Sequence, residues 1–285
     1  MKKIILIVQV LIVFSVLSCQ KSDELPTDPI IGLGGDVWVP GEIDAFIEDN
    51  FIKTYNIEVK YKWDPYEVNY NRTLVPPDEE RVIPVLEAVR DIWMKPYEKL
   101  GGGGFLKTYA LSKFVLVGSA EYQSNGTIIL GTAEGGTKIT LFVVNDFEPT
   151  NRAEVIRMLH TIHHEFAHIL HQTIDYPQAW RGLSSQWYTA TWFNSTNAQA
   201  NAQGLITAYA KAAEREDFVE TIAFLLVEGQ AAFDAVVAAN PDVANIFRTK
   251  EELVVSYYRD VLNIDFRELQ AEVSAAIQSI TAPQS

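Results

Sequence analysis

The chain has 285 residues, of which 48% are hydrophobic and 11% aromatic, a composition that supports a packed core and excludes an intrinsically disordered chain. With 23 basic and 37 acidic residues, the formal net charge is −14, so we expect no nucleic-acid partner. The single cysteine, Cys19, excludes an internal disulfide and a metal site built from several thiolates.

The N-terminus has the pattern of an export signal. Lys2 and Lys3 precede an apolar run over residues 4–17, which is too short for a membrane span. The stretch Val16-Leu17-Ser18-Cys19 resembles a bacterial lipobox. We therefore predict a lipoprotein signal peptide with its lipobox cysteine over residues 1–19, and membrane attachment through a lipid on Cys19. An ordinary cleaved signal peptide is the alternative.

Residues 20–40 are rich in Asp, Pro and Gly and lack an apolar period, which predicts a flexible tether. The acidic Ser22-Asp23-Glu24 resembles the surface-export signals of Bacteroidetes lipoproteins. We expect an exported bacterial lipoprotein at the outer membrane, exposed on the surface, with a periplasmic orientation as the alternative.

Residues 41–285 are predicted to form one α+β domain. Apolar spacing predicts a helix over 43–54, a strand over 57–63 and a longer helix over 81–100, which the glycines at 101–104 end. Pro84 is tolerated in the first turn of that helix, whereas Pro96 is expected to kink or shorten it. Short strands follow at 114–117, 127–130 and 138–144, and the chain after residue 151 is almost wholly helical. We expect a small, mostly antiparallel sheet followed by a helical C-terminal half, as two lobes over 41–175 and 176–285.

All five histidines fall within residues 160–171, and His164-Glu165-Phe166-Ala167-His168 spells H-E-x-x-H. On a helix, residues four apart lie on one face, so His164 and His168 can bind one metal ion while Glu165 flanks them. A chance match is the alternative, but residues 154–172 have a helical apolar face. The pattern predicts a catalytic zinc site with Glu165 as the general base.

Of the other three histidines, His160 and His171 are expected to support the ligands or to pack, and His163 is expected to point to the side, so all three have structural roles. His160 and His164 are also four apart, but Thr161 stands where a base would follow the first ligand. One zinc ion, with bonds of about 2 Å to nitrogen, cannot span the whole stripe from His160 to His171.

The third zinc ligand should be a carboxylate, because no histidine lies outside the motif and no cysteine is free. The metzincin pattern would need glycine at 171 and histidine at 174, where the chain has His171 and Ile174. This favours a gluzincin-like site.

The downstream candidates for the third ligand are Asp175, Glu214, Glu216, Asp217, Glu220 and Glu228. Glu216 and Glu220 share a helical face, so one can bind zinc while the other hydrogen-bonds a ligating histidine; a solvated acidic helix start is the alternative.

A family resemblance rests on two motifs in order within residues 150–228. Thr207-Ala208-Tyr209-Ala210-Lys211, followed by Glu216-Asp217-Phe218-Val219-Glu220, resembles the third-ligand segment of lethal-factor-type zinc peptidases. Together with the histidine motif, it also resembles the zinc-binding metallopeptidases of Bacteroidetes lipoproteins. The resemblance implies a zincin-like fold with an active-site helix, Zn²⁺, Glu216 as ligand, Tyr209 in the active site, and Glu220 bonded to a ligating histidine. Asp217 replaces an aromatic residue of the lethal-factor pattern, so Asp217 and Glu220 remain alternative ligands.

These residues predict a zinc-dependent metallopeptidase acting on a peptide or protein. Tyr209 is the natural donor to the scissile carbonyl oxygen, because no histidine remains for that task; simple packing is the alternative. The strand over 138–144 is expected to pair with an extended substrate. The following aromatic residues either wall the cleft or belong to the core: Trp180, Trp187, Tyr188, Trp192 and Phe193.

Two other functions fit the same sequence. One is a lipid-anchored nutrient- or glycan-binding surface protein whose zinc site is vestigial or structural. The other is a zinc hydrolase that acts on a non-peptide amide. Glu165 argues against the first, because a structural zinc site needs no base beside it.

Overall fold

The computed structural model describes residues 39–69, 71–109, 111–134 and 137–282. The predicted signal peptide, Cys19 and nearly all of the predicted tether lie outside the described residues. In the described part, no helix is long and apolar enough to cross a membrane. Residues Gly41–Ser285 form one compact unit.

The first helix, α1, packs an apolar face against the core. It runs as an α-helix over Glu42–Ile47, a π-helical segment over Glu48–Ile52 and a last turn over Lys53–Tyr55, and it buries Ile47 and Phe51. Asn56 ends it in the left-handed region at φ 57°, and strand β1 follows at Glu58–Lys60. The structure confirms the predicted helix and shortens the predicted strand.

Helix α2 comprises Glu79–Ala88, a π-helical segment over Val89–Met94, and Lys95–Gly101. It begins two residues earlier than predicted, so Pro84 lies in its second turn. Pro96 does not shorten the helix. Because proline donates no N–H and its ring crowds the carbonyl four residues back, we attribute the wider π-helical turn before it to this residue. Gly102, at φ 81°, follows the last residue, and the short helix α3 spans Phe105–Tyr109.

The main sheet has the order β1-β2-β6-β5, with β2 at Lys113–Leu116, β5 at Gly131–Glu134 and β6 at Lys138–Leu141. Strands β1 and β2 pair in parallel, as do β2 and β6, and only β5 runs antiparallel to β6. A separate antiparallel pair joins β3, Glu121–Tyr122, to β4, Ile128–Ile129.

The expectation of a mostly antiparallel sheet was therefore wrong for the main sheet. Neighbouring strands in the sequence do reverse direction where a tight turn joins them, as at Asn125-Gly126 between β3 and β4. However, α2 and α3 lie between β1 and β2, and a connection of that length permits parallel pairing. Strand direction across such a crossover is not encoded in either strand.

The C-terminal half is helical, which confirms the α+β class. Its helices are α4 Arg152–Thr173, α5 Asn197–Asn201, α6 Glu214–Val227, α7 Gln230–Ala239, α8 Ala244–Asp260 and α9 Phe266–Thr281. The largest buried cluster runs from Ile47 to Ile277 and includes side chains from both predicted lobes. The division into lobes stays a prediction.

Helix α4 is fixed in the middle of this core. The Asn151 side chain accepts a hydrogen bond from the Ala153 N–H and caps its first turn. Phe166 packs edge-to-face on Trp93 and Tyr97, with ring centroids 5.0 and 4.9 Å away. Burial of this apolar face turns the opposite, histidine-bearing face toward α6 and β5.

Candidate metal centre

Helix α4 places His164 and His168 one turn apart, both less than 10% exposed. Their ring centroids are 4.9 Å apart and their planes are steeply inclined at 78°. The 3.6-residue repeat of the helix brings both rings to one face, as the motif predicted. The Nε2 atoms of both rings face helix α6.

Helix α6 supplies a carboxylate to the same place. Glu216 Oε2 lies 3.0 Å from His168 Nε2 and 3.3 Å from His164 Nε2. One ligand atom from each of these three residues lies within 4.8 Å of the other two. The structure therefore brings together the three residues expected to bind zinc.

Asp217, the neighbouring candidate, faces away from the histidines. It is fully buried, its Oδ2 is 2.5 Å from Lys250 Nζ, and the Tyr188 hydroxyl donates to the same oxygen at 3.0 Å. The residue after Glu216 is turned by about 100° around the helix axis, so the two carboxylates meet different neighbours. Asp217 serves as a buried partner for a lysine.

The remaining downstream acids have other contacts or lie apart. Asp175 pairs with Arg181 at 2.7 Å, and Glu214 accepts a hydrogen bond from Tyr176 at 2.7 Å. Within the described residues, neither these acids nor Glu228 belongs to a group that could hold a metal ion.

Glu220 lies one turn after Glu216 and bonds the other nitrogen of His164. Its Oε1 is 2.7 Å from His164 Nδ1 and 3.0 Å from His160 Nε2. Its Oε2 accepts a hydrogen bond from the Thr207 hydroxyl at 2.5 Å. Burial opposes ionisation, but the positive potential of His160 and His164 holds the pKa of Glu220 well below its usual range.

A second group of possible ligands consists of His160, His164 and Glu220. A neutral imidazole has one nitrogen that can bind a metal and one that carries hydrogen. If His164 Nε2 binds zinc, its Nδ1 carries the hydrogen and donates it to Glu220. With zinc at His164 Nε2, the second group would then support the first through hydrogen bonds.

The charge distribution fits a cation between His164, His168 and Glu216. Burial disfavours a charged ring, yet hydrogen bonds to Glu216 and Glu220 raise the pKa of His164 to about 10. Against the same cost of burial, the two histidines hold the pKa of Glu216 below its usual range. The protein groups alone would hold a proton here. Zinc supplies positive charge in the same place and takes two imidazole nitrogens and one carboxylate oxygen as ligands, the set typical of a catalytic site.

Glu165 follows the first ligand and lies between α4 and β5. Its side chain is buried, and the backbone of Ala133 on β5 lies close enough to favour its charged form. Burial raises the pKa of Glu165. A carboxylate whose pKa is raised toward neutrality suits reversible proton transfer.

Tyr209 lies on the other side of the histidines, in a 3₁₀ turn over Tyr209–Lys211. Its ring centroid is 5.6 Å from that of His164 and 4.8 Å from that of Trp192. The side chain is 38% exposed, and among the described residues its hydroxyl has no hydrogen-bond partner. Burial and the charges of Glu216 and Glu165 raise the pKa of Tyr209, so it remains a hydrogen-bond donor.

Of the three histidines expected to have structural roles, two bond residues of the candidate metal centre. His160 bonds Glu220, and His171 Nε2 is 2.9 Å from His168 Nδ1. Burial and the neighbouring His168 lower the pKa of His171 to about 4, so its neutral ring can accept a hydrogen bond from His168. His163 is fully buried on the opposite side, where neither ring nitrogen has a partner among the described residues.

A cleft of about 810 Å³ runs along the site. Residues 127–133, from β4 into β5, line one wall, and Trp192, Tyr209 and Arg215 line the other. Of the aromatic residues between the two motifs, Trp192 lines this cleft while Trp180 is buried in the core. Both alternatives, a place in the cleft wall and a place in the core, are therefore found, each for a different residue.

Strand β5 forms the cleft edge of the main sheet. The strand expected to pair with substrate, β6, is already paired with β2 on one side and β5 on the other, so that expectation was wrong. Sequence reasoning missed β5 because Gly131-Thr132-Ala133-Glu134 lacks β-branched or aromatic alternation. It also missed Lys250, since a single lysine in an amphipathic helix gives no sign of a buried ion pair.

Comparisons with known proteins agree on one family. Residues 36–267 match the family model described as "Putative zinc-binding metallo-peptidase". Among solved structures, the chain is similar to a "putative zinc-binding metallo-peptidase" from Bacteroides caccae, with a TM-score of 0.72 and 32% sequence identity. That match covers 84% of this chain and 92% of the other. No curated protein matched.

Proposed function

Because the chain belongs to the zinc-binding metallopeptidase family that matches residues 36–267, we propose that it hydrolyses peptide bonds at His164, His168 and Glu216, with Glu165 as general base. The observation that carries this proposal is the position of Glu165. It lies buried beside the three possible ligands and opens onto the cleft. A structural zinc site has no use for such a base.

The reaction divides among the protein side chains as follows. When bound, zinc polarises the substrate carbonyl and makes the attacking water more acidic. Glu165 accepts a proton as the water attacks and then delivers it to the leaving nitrogen. Tyr209 donates a hydrogen bond to the carbonyl oxygen as negative charge develops there. Glu220 and His171 orient the rings of His164 and His168 through their Nδ1 atoms.

The position of strand β5 is evidence that the substrate is an extended peptide. β5 is an edge strand that lines the cleft, and the backbone of its Ala133 lies close to Glu165. A peptide added beside this strand would pass directly over the base and the metal ligands.

The decisive experiment compares the wild-type protein with Glu165→Gln in zinc content and in hydrolysis of a mixed peptide library. We expect both to bind zinc, and the variant to lose roughly 10²- to 10⁴-fold in rate, because it lacks the proton acceptor. Glu87→Gln, an exposed change on α2, is the matched control and should remain active.

Other outcomes would favour the alternative functions. Equal inactivity of zinc-loaded wild type and Glu165→Gln toward every peptide would contradict the peptidase proposal. Cleavage of a simple acyl amide without any peptide cleavage would support a non-peptide hydrolase. Binding of glycans with no hydrolysis would support a surface binding protein.

We also propose that the protein is anchored through a lipid on Cys19. The proposal rests on the lipobox-like sequence Val16-Leu17-Ser18-Cys19. The protein from its native cells should partition into a detergent phase, and Cys19→Ser should abolish that partitioning. Equal partitioning of the two would refute the anchor.

A further inference from the structure

The hydroxyl of Thr207 makes two hydrogen bonds at the edge of the metal centre. It donates to Glu220 Oε2 at 2.5 Å and accepts from the backbone N–H of Ala210 at 3.1 Å. A threonine hydroxyl has one hydrogen to donate, and here that hydrogen is directed to a buried carboxylate. Thr207 thereby joins a short turn to a residue that contacts a metal ligand.

The turn held by this hydroxyl is the one that carries Tyr209. Thr207 precedes Tyr209 in the sequence and Ala210 follows it. The hydrogen bond between Thr207 and Ala210 closes the start of the 3₁₀ turn Tyr209–Lys211. The other oxygen of Glu220 bonds His164 Nδ1 at 2.7 Å. One carboxylate is therefore connected to His164 on one side and to the backbone around Tyr209 on the other.

We propose that Thr207 is a positioning residue that sets the place of the Tyr209 hydroxyl relative to the zinc ligand His164, with Glu220 as the shared support. This inference rests on the proposed function, in which Tyr209 stabilises the developing negative charge. It assigns a task to the second oxygen of Glu220, beyond the orientation of a histidine.

The Tyr209 ring contacts His164 and Trp192, but these contacts leave the place of its hydroxyl to the backbone turn that carries the residue. The side chain is 38% exposed, and its hydroxyl bonds no described residue. A donor to a developing oxyanion works at about 2.7–3.1 Å, and a displacement of about 1 Å can cost roughly a hundredfold in rate. Asn197 also holds this segment, through the Ala208 N–H at 2.8 Å, but it does not connect the turn to Glu220.

The test is a double-mutant cycle on the full protein, with Thr207→Val, Tyr209→Phe and the combined variant, each measured for kcat, KM and zinc content. We expect Thr207→Val to lower kcat roughly ten- to a hundredfold, with a change in KM below about twofold and unchanged zinc. In the Tyr209→Phe background the same substitution should cost less than about twofold in kcat, because the group it positions is already gone.

Matched variants separate this role from a general effect on folding. Thr207→Ser keeps the hydroxyl and should restore most of kcat. Thr221→Val is the control, because it removes a buried hydroxyl that bonds only the Asp217 carbonyl within helix α6. It should leave kcat unchanged. If Thr207→Val does not fold, Thr207→Ala, which places no methyl group against the Glu220 carboxylate, replaces it in the cycle.

Three results would overturn the proposal: an unchanged kcat in Thr207→Val, an equal loss in the Tyr209→Phe background, or a loss of zinc that accounts for the lost rate. They differ from a failure of the proposed function. In that case zinc-loaded wild type and Glu165→Gln would be equally inactive toward every peptide, whereas the three results above are all measured against an active wild type.

Discussion

Glu216 and Asp217 are adjacent acids with different surroundings, and their positions make zinc binding testable at single residues. Glu216 faces two histidines, whereas Asp217 pairs with Lys250 in the core. Only the first has a carboxylate oxygen near the Nε2 atoms. The matched amide substitutions Glu216→Gln and Asp217→Asn should therefore affect different properties, zinc content in the first variant and the stability of the buried ion pair in the second.

We expect Glu216→Gln to lose most of its zinc after dialysis and Asp217→Asn to retain about one ion per chain. Asp217→Asn should lower the free energy of unfolding by roughly 3 kcal/mol, because it leaves the buried Lys250 without its counter-charge. Metal analysis and denaturant unfolding measure the two effects. A folded Asp217→Asn without zinc, beside a zinc-loaded Glu216→Gln, would reassign the ligand to Asp217.

A second prediction concerns the contribution of His163 to stability. This histidine is buried, and its ring nitrogens have no partner among the described residues. A buried polar group without a hydrogen bond costs about 1–3 kcal/mol. His163→Leu, of similar volume, should therefore raise the free energy of unfolding by about 1 kcal/mol at pH 7 while zinc content and activity stay unchanged.

The same variant should also change the pH dependence of stability. Burial lowers the pKa of His163 to about 3, so between pH 6.5 and 3 the unfolded chain binds a proton that the folded chain does not. Wild type should lose stability through this range as the pH falls, and His163→Leu should lose less. Identical pH profiles in denaturant unfolding would show that the ring is not buried in its neutral form.

At the scale of elements, the site depends on how closely β5 approaches the motif helix α4. A methyl group on Gly131 would lie 2.1 Å from Cγ2 of Thr161, so only glycine permits this spacing. Two residues along the same strand, the backbone of Ala133 lies close to Glu165 and favours its charged form. The approach of the strand to the helix thus sets the surroundings of Glu165, the proposed general base.

We expect Gly131→Ala to lower stability by roughly 1–3 kcal/mol and to reduce kcat, because the strand must move away from α4. Thr161→Ser removes the obstructing methyl group and keeps the hydroxyl that bonds Arg157, so the double variant should recover. Gly103→Ala, where a methyl group meets nothing within 4 Å, is the control. Melting temperature and peptidase rate measure both effects. If Thr161→Ser does not restore the stability and kcat of Gly131→Ala, the loss does not come from a clash with the Thr161 methyl group.

At the scale of the whole molecule, zinc should stabilise the fold because its expected ligands come from two separate helices. A ligand that binds only the folded state stabilises it by about 2.7 kcal/mol at a hundred times its dissociation constant. For a chain of this size that is a shift in Tm of roughly 5–10 °C. Removal of zinc with a chelator should lower Tm by about this amount, and added zinc should restore it.

Glu216→Gln is the control for this experiment, because it keeps the fold but lacks the ligand that joins α6 to α4. Its Tm should respond little to chelation. A chelator that lowers the Tm of both proteins equally would show that the stabilising metal is bound somewhere other than at Glu216.

The sequence by itself determined the chemistry that depends on local spacing and on composition. The four-residue interval between His164 and His168 places both on one face of any helix. The lack of histidine outside residues 160–171 and of a second cysteine indicates a carboxylate as the third protein ligand. Neither argument requires knowledge of how the helices pack.

Only the tertiary structure decided which distant groups meet. His168 and Glu216 are 48 positions apart, and His164 and Glu220 are 56 apart, so their contact depends on the packing of α6 against α4. The parallel pairing of β1 with β2, the cleft-lining β5, the Asp217–Lys250 pair and the bond from Thr207 to Glu220 have the same origin. Helical periodicity extends over a few turns, whereas contacts between elements are set by burial of the whole core.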